Sequence, residues 1–424
     1  MLIFADLHIH SKYSRGTSGR MDLEHISENA KIKGLNLVGT GDFTHPRWLS
    51  ELKEKLEPLG NGLYRYNGVL FVLTVEVSTI YEYGGETRKI HHVILAPDFE
   101  TVEQLNDIFG NWGSLESDGR PVFNSVTSPE LVEAVSQVSS MVEVIPAHAW
   151  TPWFSLFGSK SGFNSLKECY QDMAGRIHAL ETGLSSDPPM NWRVSELDRI
   201  TLLSNSDAHS PWPFRLGREL NVFNIENPSY AEIIETIRSG DPARLLYTIE
   251  VDPSYGKYHF DGHRNCGVSL HPRQAMARGN ICPICGKPLT IGVLHRVEEL
   301  ADRPEGYIRK NAIPYKCLIP LQELIALIKG STPASARVGK IYMRLIEKFG
   351  SELNILLNAE ISEIAQFDPK LAKIILDMRI GKLKIIPGYD GVYGKLVLED
   401  SEENREVKED KSYYNRQSTL SDYI

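Results

Sequence analysis

The chain has 424 residues, 42% of them hydrophobic and 24% charged, with a formal net charge of −9. That balance is the one found in soluble globular proteins, and the length allows roughly two to four domains. No apolar run approaches the ~18 residues of a membrane span, the N-terminus lacks the basic region of a secretory signal, and five cysteines are too few for a disulfide scaffold, so a cytoplasmic protein without a membrane partner is expected.

In chain order, residues 1–250 alternate strand-length apolar runs with amphipathic stretches. The runs are 2–9, 35–40, 69–76, 92–96, 142–147, 177–181, 200–204 and 220–225. Several are almost continuously hydrophobic, as strands buried on both faces of a parallel sheet are. Helical patterns lie between them at 22–33, 129–139 and 230–239. The alternation predicts an α/β architecture, either a β/α barrel or a doubly wound sheet. A turn-rich break, Asp252-Pro-Ser-Tyr-Gly256, separates this part from residues 257–300, which are poor in apolar runs and hold three of the five cysteines. Residues 313–382 read as mostly helical, at 318–329, 338–349 and 369–379, and from Glu399 onward the chain is acidic and polar, expected as a flexible tail. The expected units are a barrel at 1–250, a zinc-binding domain at 251–312, a helical basic region at 313–398 and a tail at 399–424.

Charge divides along the same lines. Residues 1–250 carry a net −12, residues 251–398 a net +7 and residues 399–424 a net −4. A basic middle piece is the footprint expected where polyphosphate binds, or simply a lysine-rich solvated face. The acidic first piece fits nucleic acid only if bound cations offset it.

Histidines and carboxylates gather at the ends of the apolar runs. The first run continues Asp6-Leu-His8-Ile-His10, and residues two apart on an extended chain face one side, so His8 and His10 can share an ion. The later runs contribute Asp42 and His45, Glu76, His91 and His92, His148, and then Asp207 and His209. In a β/α barrel the C-terminal strand ends converge on one face. A lone histidine is more often a hydrogen-bonded core residue, but this many ionisable groups buried together without cations would be very costly. A metal centre is therefore expected.

Asp-Leu-His-Ile-His-Ser at the start and Ser-Asp-Ala-His at 206–209 resemble the first and last motifs of the PHP (polymerase and histidinol phosphatase) metal-dependent phosphoesterases. The resemblance spans about residues 1–225 and implies a distorted seven-stranded β/α barrel with two or three divalent ions, zinc, manganese or magnesium. Carried onto this chain, it implies His8, His10, Asp42, Glu76, His92, His148, Asp207 and His209 as ligands. Glu76 would bridge, and Glu76, Asp207 and His209 would be central to catalysis. Phe43 stands where the family often has histidine, so His45 is the candidate for the missing imidazole. His91 is an alternative to His92, and Asp6 is expected to orient a ligand histidine. Cations a few ångströms apart activate water and clamp a phosphate, so the reaction class is phosphate ester hydrolysis.

Downstream, His263-Arg-Asn-Cys266 and Cys282-Pro-Ile-Cys285 form two knuckles 15 residues apart, the spacing of a one-histidine structural zinc site, with Gly286 permitting the tight turn. His259 and His271 rival His263 as the fourth ligand, and a redox Cys-x-x-Cys is the alternative reading. Cys169 and Cys317 are expected in the core. The aromatic stretch Trp150-Thr-Pro-Trp153-Phe154-Ser-Leu-Phe157 follows His148 directly and either stacks on a ligand or is an ordinary packed loop. Lys382, Lys384 and the loop 386–391 are candidates for phosphate contact.

The C-terminal residues Gln417-Ser-Thr-Leu420-Ser-Asp-Tyr423-Ile424 look like the peptide by which DNA-metabolising proteins bind the sliding clamp PCNA. Leu420 and Tyr423 would plug an apolar pocket and Gln417 a polar one, with Ile424 replacing the second aromatic. Barrel, zinc module, basic helical region and clamp peptide together resemble the endonuclease Q family over the whole chain. That resemblance implies a prokaryotic, nucleoid-associated repair enzyme that cuts damaged DNA on the 5′ side of uracil, hypoxanthine, xanthine or an abasic site. A phosphomonoesterase acting on a small metabolite is the enzyme alternative, but it leaves the zinc module, the basic piece and the tail without a role. A non-catalytic DNA- or clamp-binding module is the other, but it needs far fewer ligands than the barrel offers.

Overall fold

In the computed structural model, which describes residues 1–397, the first seven apolar runs become seven strands around one core. They are β1 (Leu2–Asp6), β2 (Leu37–Gly39), β3 (Val69–Tyr83), β4 (Glu86–Ala96), β5 (Glu143–Pro146), β6 (Ala179–Glu181) and β7 (Thr201–Leu203). β1, β2 and β3 are parallel, as are β6 and β7. β4 departs from the all-parallel expectation and runs antiparallel to both β3 and β5. The cause is local. β3 continues beyond Glu76 to Tyr83, where Gly84 and Gly85, at φ +64° and +80°, make a two-residue turn that sends the chain straight back.

The seam between β1 and β7 accounts for the distortion. Only a single bridge, Ile9 to Ala208, joins them as backbone. Buried amides complete the closure: Leu7 N donates to Asn205 Oδ1 (2.9 Å), Ser204 N to Asn221 Oδ1 (3.0 Å), and Asn221 Nδ2 to Ser204 O (2.8 Å). These side chains satisfy backbone groups that a regular ladder would pair. β1 spends its other edge on the antiparallel strand Leu220–Asn224, which carries the sheet outward to Leu245–Glu250 and Tyr315–Cys317. The eighth apolar run therefore lies outside the barrel.

Helices form where caps and apolar spacing coincide. Leu23–Lys33 starts at Asp22, whose side chain accepts from His25 N, and stops at Gly34 in the left-handed region. Ser128–Val138 opens with a Thr127/Glu130 capping box. The helices Leu321–Lys329, Ala336–Phe349, Glu352–Leu357, Ile361–Ala365 and Pro369–Arg379 build the expected helical region, whose apolar faces join the barrel's core. A buried ion pair ties the two parts: Lys33 Nζ lies 2.8 Å from Glu352 Oε1, which also accepts from Leu321 N, while Tyr342 donates to Oε2. Every charge in that pair has partners, the condition under which such a pair is tolerated. No described helix is long and apolar enough to cross a membrane.

The cysteine segment folds as a strand pair, Asp261–His263 against Val268–Leu270, with a short helix Pro272–Met276. Its own core is Val268, Ala275, Cys282 and Leu289. So few residues cannot hold a fold by burial alone. The loop 386–391 docks on this module: Arg264 N and Thr290 Oγ1 donate to Asp390, each at 2.7 Å, and Phe260 N to Gly388 O. Much of that loop's polar surface is thus spent inside the protein.

Candidate metal centre and adjoining cavities

At the mouth of the barrel, side chains from β1, β3, β4 and the loops after β5 and β7 converge in three overlapping groups: His8, His10 and Glu76; His10, Asp207 and His209; and Glu76, His91 and His148. Within each group the candidate ligand atoms all lie within 4.8 Å of one another. Glu76 Oε1 is 2.7 Å from His91 Nδ1 and 3.0 Å from His148 Nε2, and Oε2 is 3.3 Å from His10 Nε2. Asp207 Oδ1 lies 3.1 Å from His10 Nε2 and 3.7 Å from His8 Nε2. Although so close, His8 Nε2, His10 Nε2 and Asp207 Oδ1 are buried and make no hydrogen bond among the described residues. Buried polar atoms are normally satisfied, and lone pairs aimed at a common point fit a cation.

A second row of carboxylates holds the rings. His8 Nδ1 lies 3.0 Å from both oxygens of Glu181, which also accept from His148 N (3.0 Å) and Asn205 Nδ2 (2.8 Å). His10 Nδ1 lies 3.0 Å from Asp42 Oδ1. With Nδ1–H donated backward, each ring turns its Nε2 lone pair toward the centre. Burial opposes charge on these groups. Even so, His91 first and then the neighbouring His10, His148 and His8 rings hold Glu76 well below the ordinary carboxylate range. Asp207 is likewise held low against burial by the neighbouring His10 and His8 rings. Asp42, His148 and Asp207 have φ of +49°, +32° and +48°, so three loops at the barrel mouth carry backbone strain.

Four sequence expectations change. His92 points to the opposite face of β4, because neighbouring strand residues alternate. Its Nε2 lies 3.1 Å from Thr79 Oγ1 and its Nδ1 3.1 Å from Tyr170 Oη, and burial pushes it down to about 3. Its neighbour His91 takes the place at Glu76. Asp42 is occupied behind His10: its Oδ2 accepts from Ser11 N, Ser11 Oγ and Ser14 Oγ at 2.6, 2.6 and 2.9 Å. Gly119 closes over it so tightly that a Cβ there would sit 2.4 Å from Oδ2. His45 stacks on Tyr13 at 4.3 Å, stands at the N-cap position of the helix Pro46–Lys55 without a side-chain capping bond, and belongs to none of the groups above. Asp6 touches no histidine; it accepts from Ser206 N and Oγ and from Gly217 N, pinning the loop that carries Asp207.

Two contributors were missed from sequence. Glu181 ends its apolar run as Glu76 does, and that position was its signal. Arg120, from a loop without periodic pattern, donates to Glu76 Oε2 at 3.1 Å, and no sequence feature marked it.

Two recesses flank the cluster on one side. A small one of about 210 Å³ is lined by His91, His148, Glu181 and Asp207. Thr151, Trp153 and Leu184 are shared with a larger cavity of about 710 Å³, whose walls include Tyr255, Tyr258, Tyr393, Arg215 and Arg218. The aromatic stretch splits between the two readings. Trp150 and Phe157 are buried and stacked together at 4.6 Å, whereas Trp153 is 49% exposed at the cavity and edge-on to Tyr258.

In the cysteine module, His263, Cys266, Cys282 and Cys285 bring their ligand atoms within 4.8 Å of one another, Cys285 Sγ lying 3.4 Å from His263 Nδ1. Gly267 and Gly286, at φ +65° and +72°, close the two knuckles. The donor set suits tetrahedral zinc. Of the rivals, His271 caps the Pro272–Met276 helix and His259 stacks on Phe260. The clamp-peptide residues Gln417, Leu420, Tyr423 and Ile424 lie outside the described residues.

Residues 320–382 match the family described as the MJ0043 C-terminal domain. The uncharacterized protein MJ0043 of Methanocaldococcus jannaschii is 36% identical over 256 residues, 59% of this chain, which spans only 31% of that longer protein. The uncharacterized protein YqxK of Bacillus subtilis is 31% identical over 416 residues, covering 93% of this chain and 99% of YqxK. Among solved structures, the lesion-specific endonuclease PfuEndoQ of Pyrococcus furiosus superposes with a TM-score of 0.85 at 36% identity, covering 96% of this chain and 99% of its own. Endonuclease Q in complex with a 27-mer duplex carrying an abasic lesion at the active site gives 0.84 at 37%, covering 94% and 97%. Matched over nearly its whole length at this identity, the chain belongs to the endonuclease Q family.

Proposed function

We propose that this protein is a lesion-specific DNA repair endonuclease that hydrolyses the backbone beside a damaged nucleotide. The observation that carries the proposal is the set of unsatisfied His8, His10 and Asp207 atoms facing Glu76, beside a small recess that Asp207 shares with Trp153 and Phe154. In our reading His8, His10, Glu76, His91, His148, Asp207 and His209 hold two or three divalent ions, zinc, manganese or magnesium, and Glu76, common to two groups, is the bridging carboxylate. When bound, such ions supply a nucleophile from water at neutral pH and neutralise the phosphate. The chain's own part is positional: Glu181 and Asp42 fix the His8 and His10 tautomers, and Arg120 brings a guanidinium to the cluster.

The substrate range is the one the endonuclease Q resemblance implies, and the chemistry of the lesions is compatible with it. Deamination turns an amine donor into a carbonyl beside an N–H, so one pocket offering a donor and an acceptor takes uracil, hypoxanthine and xanthine and rejects their parents. A mispaired or missing base leaves the stack at low cost, and Trp153, Tyr258 and Tyr393 offer stacking surface. The cut is expected on the 5′ side of the lesion. One structural zinc at His263, Cys266, Cys282 and Cys285 holds the cysteine module together. The tail residues Gln417, Leu420, Tyr423 and Ile424 recruit the enzyme to the PCNA clamp, and deleting residues 417–424 is expected to abolish clamp binding without changing basal nicking.

The test is to incubate the full chain, with manganese or magnesium, with labelled duplexes bearing one uracil, hypoxanthine or abasic site, and to map the cut. Nicking beside the lesion, lost with chelator and in Asp207→Ala while lesion binding survives, is the expected result. Hydrolysis of an aryl phosphate with no nicking of any lesion duplex would overturn it in favour of a small-molecule phosphatase.

A further inference from the structure

Beside the cluster, and next to the aromatic cavity, lies a second, polar cleft of about 490 Å³, lined by Thr17, Ser18, Asp207, His209, Ser210, Arg215 and Arg218. Arg215 and Arg218 also line the aromatic cavity, so the two guanidiniums stand in the wall between the spaces. Arg218 Nε and Nη2 both donate to Ser206 O, at 3.1 and 3.0 Å, which leaves its Nη1 without a hydrogen bond among the described residues. Arg218 pairs with no carboxylate there. Arg215 has one long ion pair, 3.4 Å to Glu323, lies over the Phe214 ring, and is otherwise exposed. Burial and the Arg215 charge push Arg218 below the ordinary guanidinium range, so the two cations work against each other as they stand. Thr17 Oγ1, also in the cleft wall, is buried without a partner. Adjacent, under-neutralised guanidiniums with a spare hydroxyl match the oxygens of a phosphate.

We propose that this cleft binds a backbone phosphodiester of the cleaved strand, the one next to the phosphate at the metal centre, through Arg218 Nη1, Arg215 and the hydroxyl of Thr17. The assignment rests on the endonuclease reading. A strand whose scissile phosphate sits at Glu76 and Asp207, and whose lesion enters the aromatic cavity, runs past the wall the two spaces share, and the cleft, bordered by both Asp207 and that cationic wall, is where its next phosphate fits. Arg218 thereby has two tasks, since its bonds to Ser206 O also steady the strained backbone of Asp207.

The two tasks separate by coupling a residue to a phosphate. Abasic-site duplexes are made with the phosphate on either side of the scissile one replaced, one at a time, by a neutral methylphosphonate. Affinity is measured in chelator for wild type, Arg215→Gln, Arg218→Lys and Arg218→Gln, and nicking with manganese. Neutralising one flanking phosphate should weaken wild-type binding by about tenfold, in line with one charge-assisted contact. Arg215→Gln should lose a similar factor on unmodified DNA and nothing further on that methylphosphonate, with the salt slope lower by about one. Arg218→Lys should recover part of the affinity lost in Arg218→Gln. Losses that multiply independently at both flanking phosphates would overturn the subsite and leave Arg218 as a brace for Asp207. Arg215 is exposed, so its variant keeps the test valid if Arg218→Gln fails to fold. Wild type that binds in chelator yet never nicks would sink the endonuclease reading instead, and the coupling in chelator would still decide the subsite.

Discussion

Both carboxylate oxygens of Glu181 lie 3.0 Å from Nδ1 of His8, so the ring is held from behind with its other nitrogen facing Glu76 and Asp207. Glutamine at 181 would keep the volume but place an amide donor among donors. Glu181→Gln is therefore expected to lower metal affinity by about 10–100-fold, with nicking recovered as the manganese concentration is raised. Titration calorimetry of the metal-free protein measures the first and a manganese series the second. An unaltered metal dependence would remove Glu181 from this role.

His91 and His92 are adjacent in sequence and opposed in space. His91→Ala should remove most nicking and reduce bound metal, because its Nδ1 is 2.7 Å from Glu76. His92→Ala should keep both while costing about 1–3 kcal/mol of stability, since Tyr170, Thr79 and Ser128 lose a buried partner. Metal content by mass spectrometry, read beside a denaturant melt, distinguishes the two. The reverse pattern would mean that β4 presents its other face.

Cys282 is buried within the small core of the cysteine module and sits within 4.8 Å of three further donors. Cys282→Ser is expected to lower zinc content by one ion per chain and to make the module the first part to melt, because its own apolar core is too small to hold it. An unchanged zinc stoichiometry would argue against a structural site.

Glu250 is buried with the Thr182 and Thr248 hydroxyls donating to it, at 2.8 and 2.5 Å, and burial raises it to about 8. A carboxyl raised in the fold keeps its proton there while the unfolded chain releases it. Its stabilising effect is complete below the unfolded value of 4.5 and fades as pH climbs toward 8. Glu250→Gln, which cannot ionise, should therefore match wild type in Tm near pH 5 and exceed it at pH 8, by on the order of 3 kcal/mol in stability. Calorimetric melts at the two pH values check it, and a variant less stable at pH 8 would show that the carboxylate is held charged.

The local order of side chains already determined much of this protein. His8 and His10 share a side because extended chain alternates, the Cys-x-x-Cys knuckles and their glycines define a donor pair by spacing alone, and the apolar runs become strands because continuous hydrophobicity must be buried. Tertiary pairing decided the rest. Whether His91 or His92 faces Glu76 depends on β4 running backward, set by the Gly84-Gly85 turn that begins eight residues past Glu76. Glu181, Asp42 and Arg120 acquire their roles only through neighbours 173, 32 and 44 residues away in the chain. Face and direction are properties of a strand's partners, and a linear pattern carries neither.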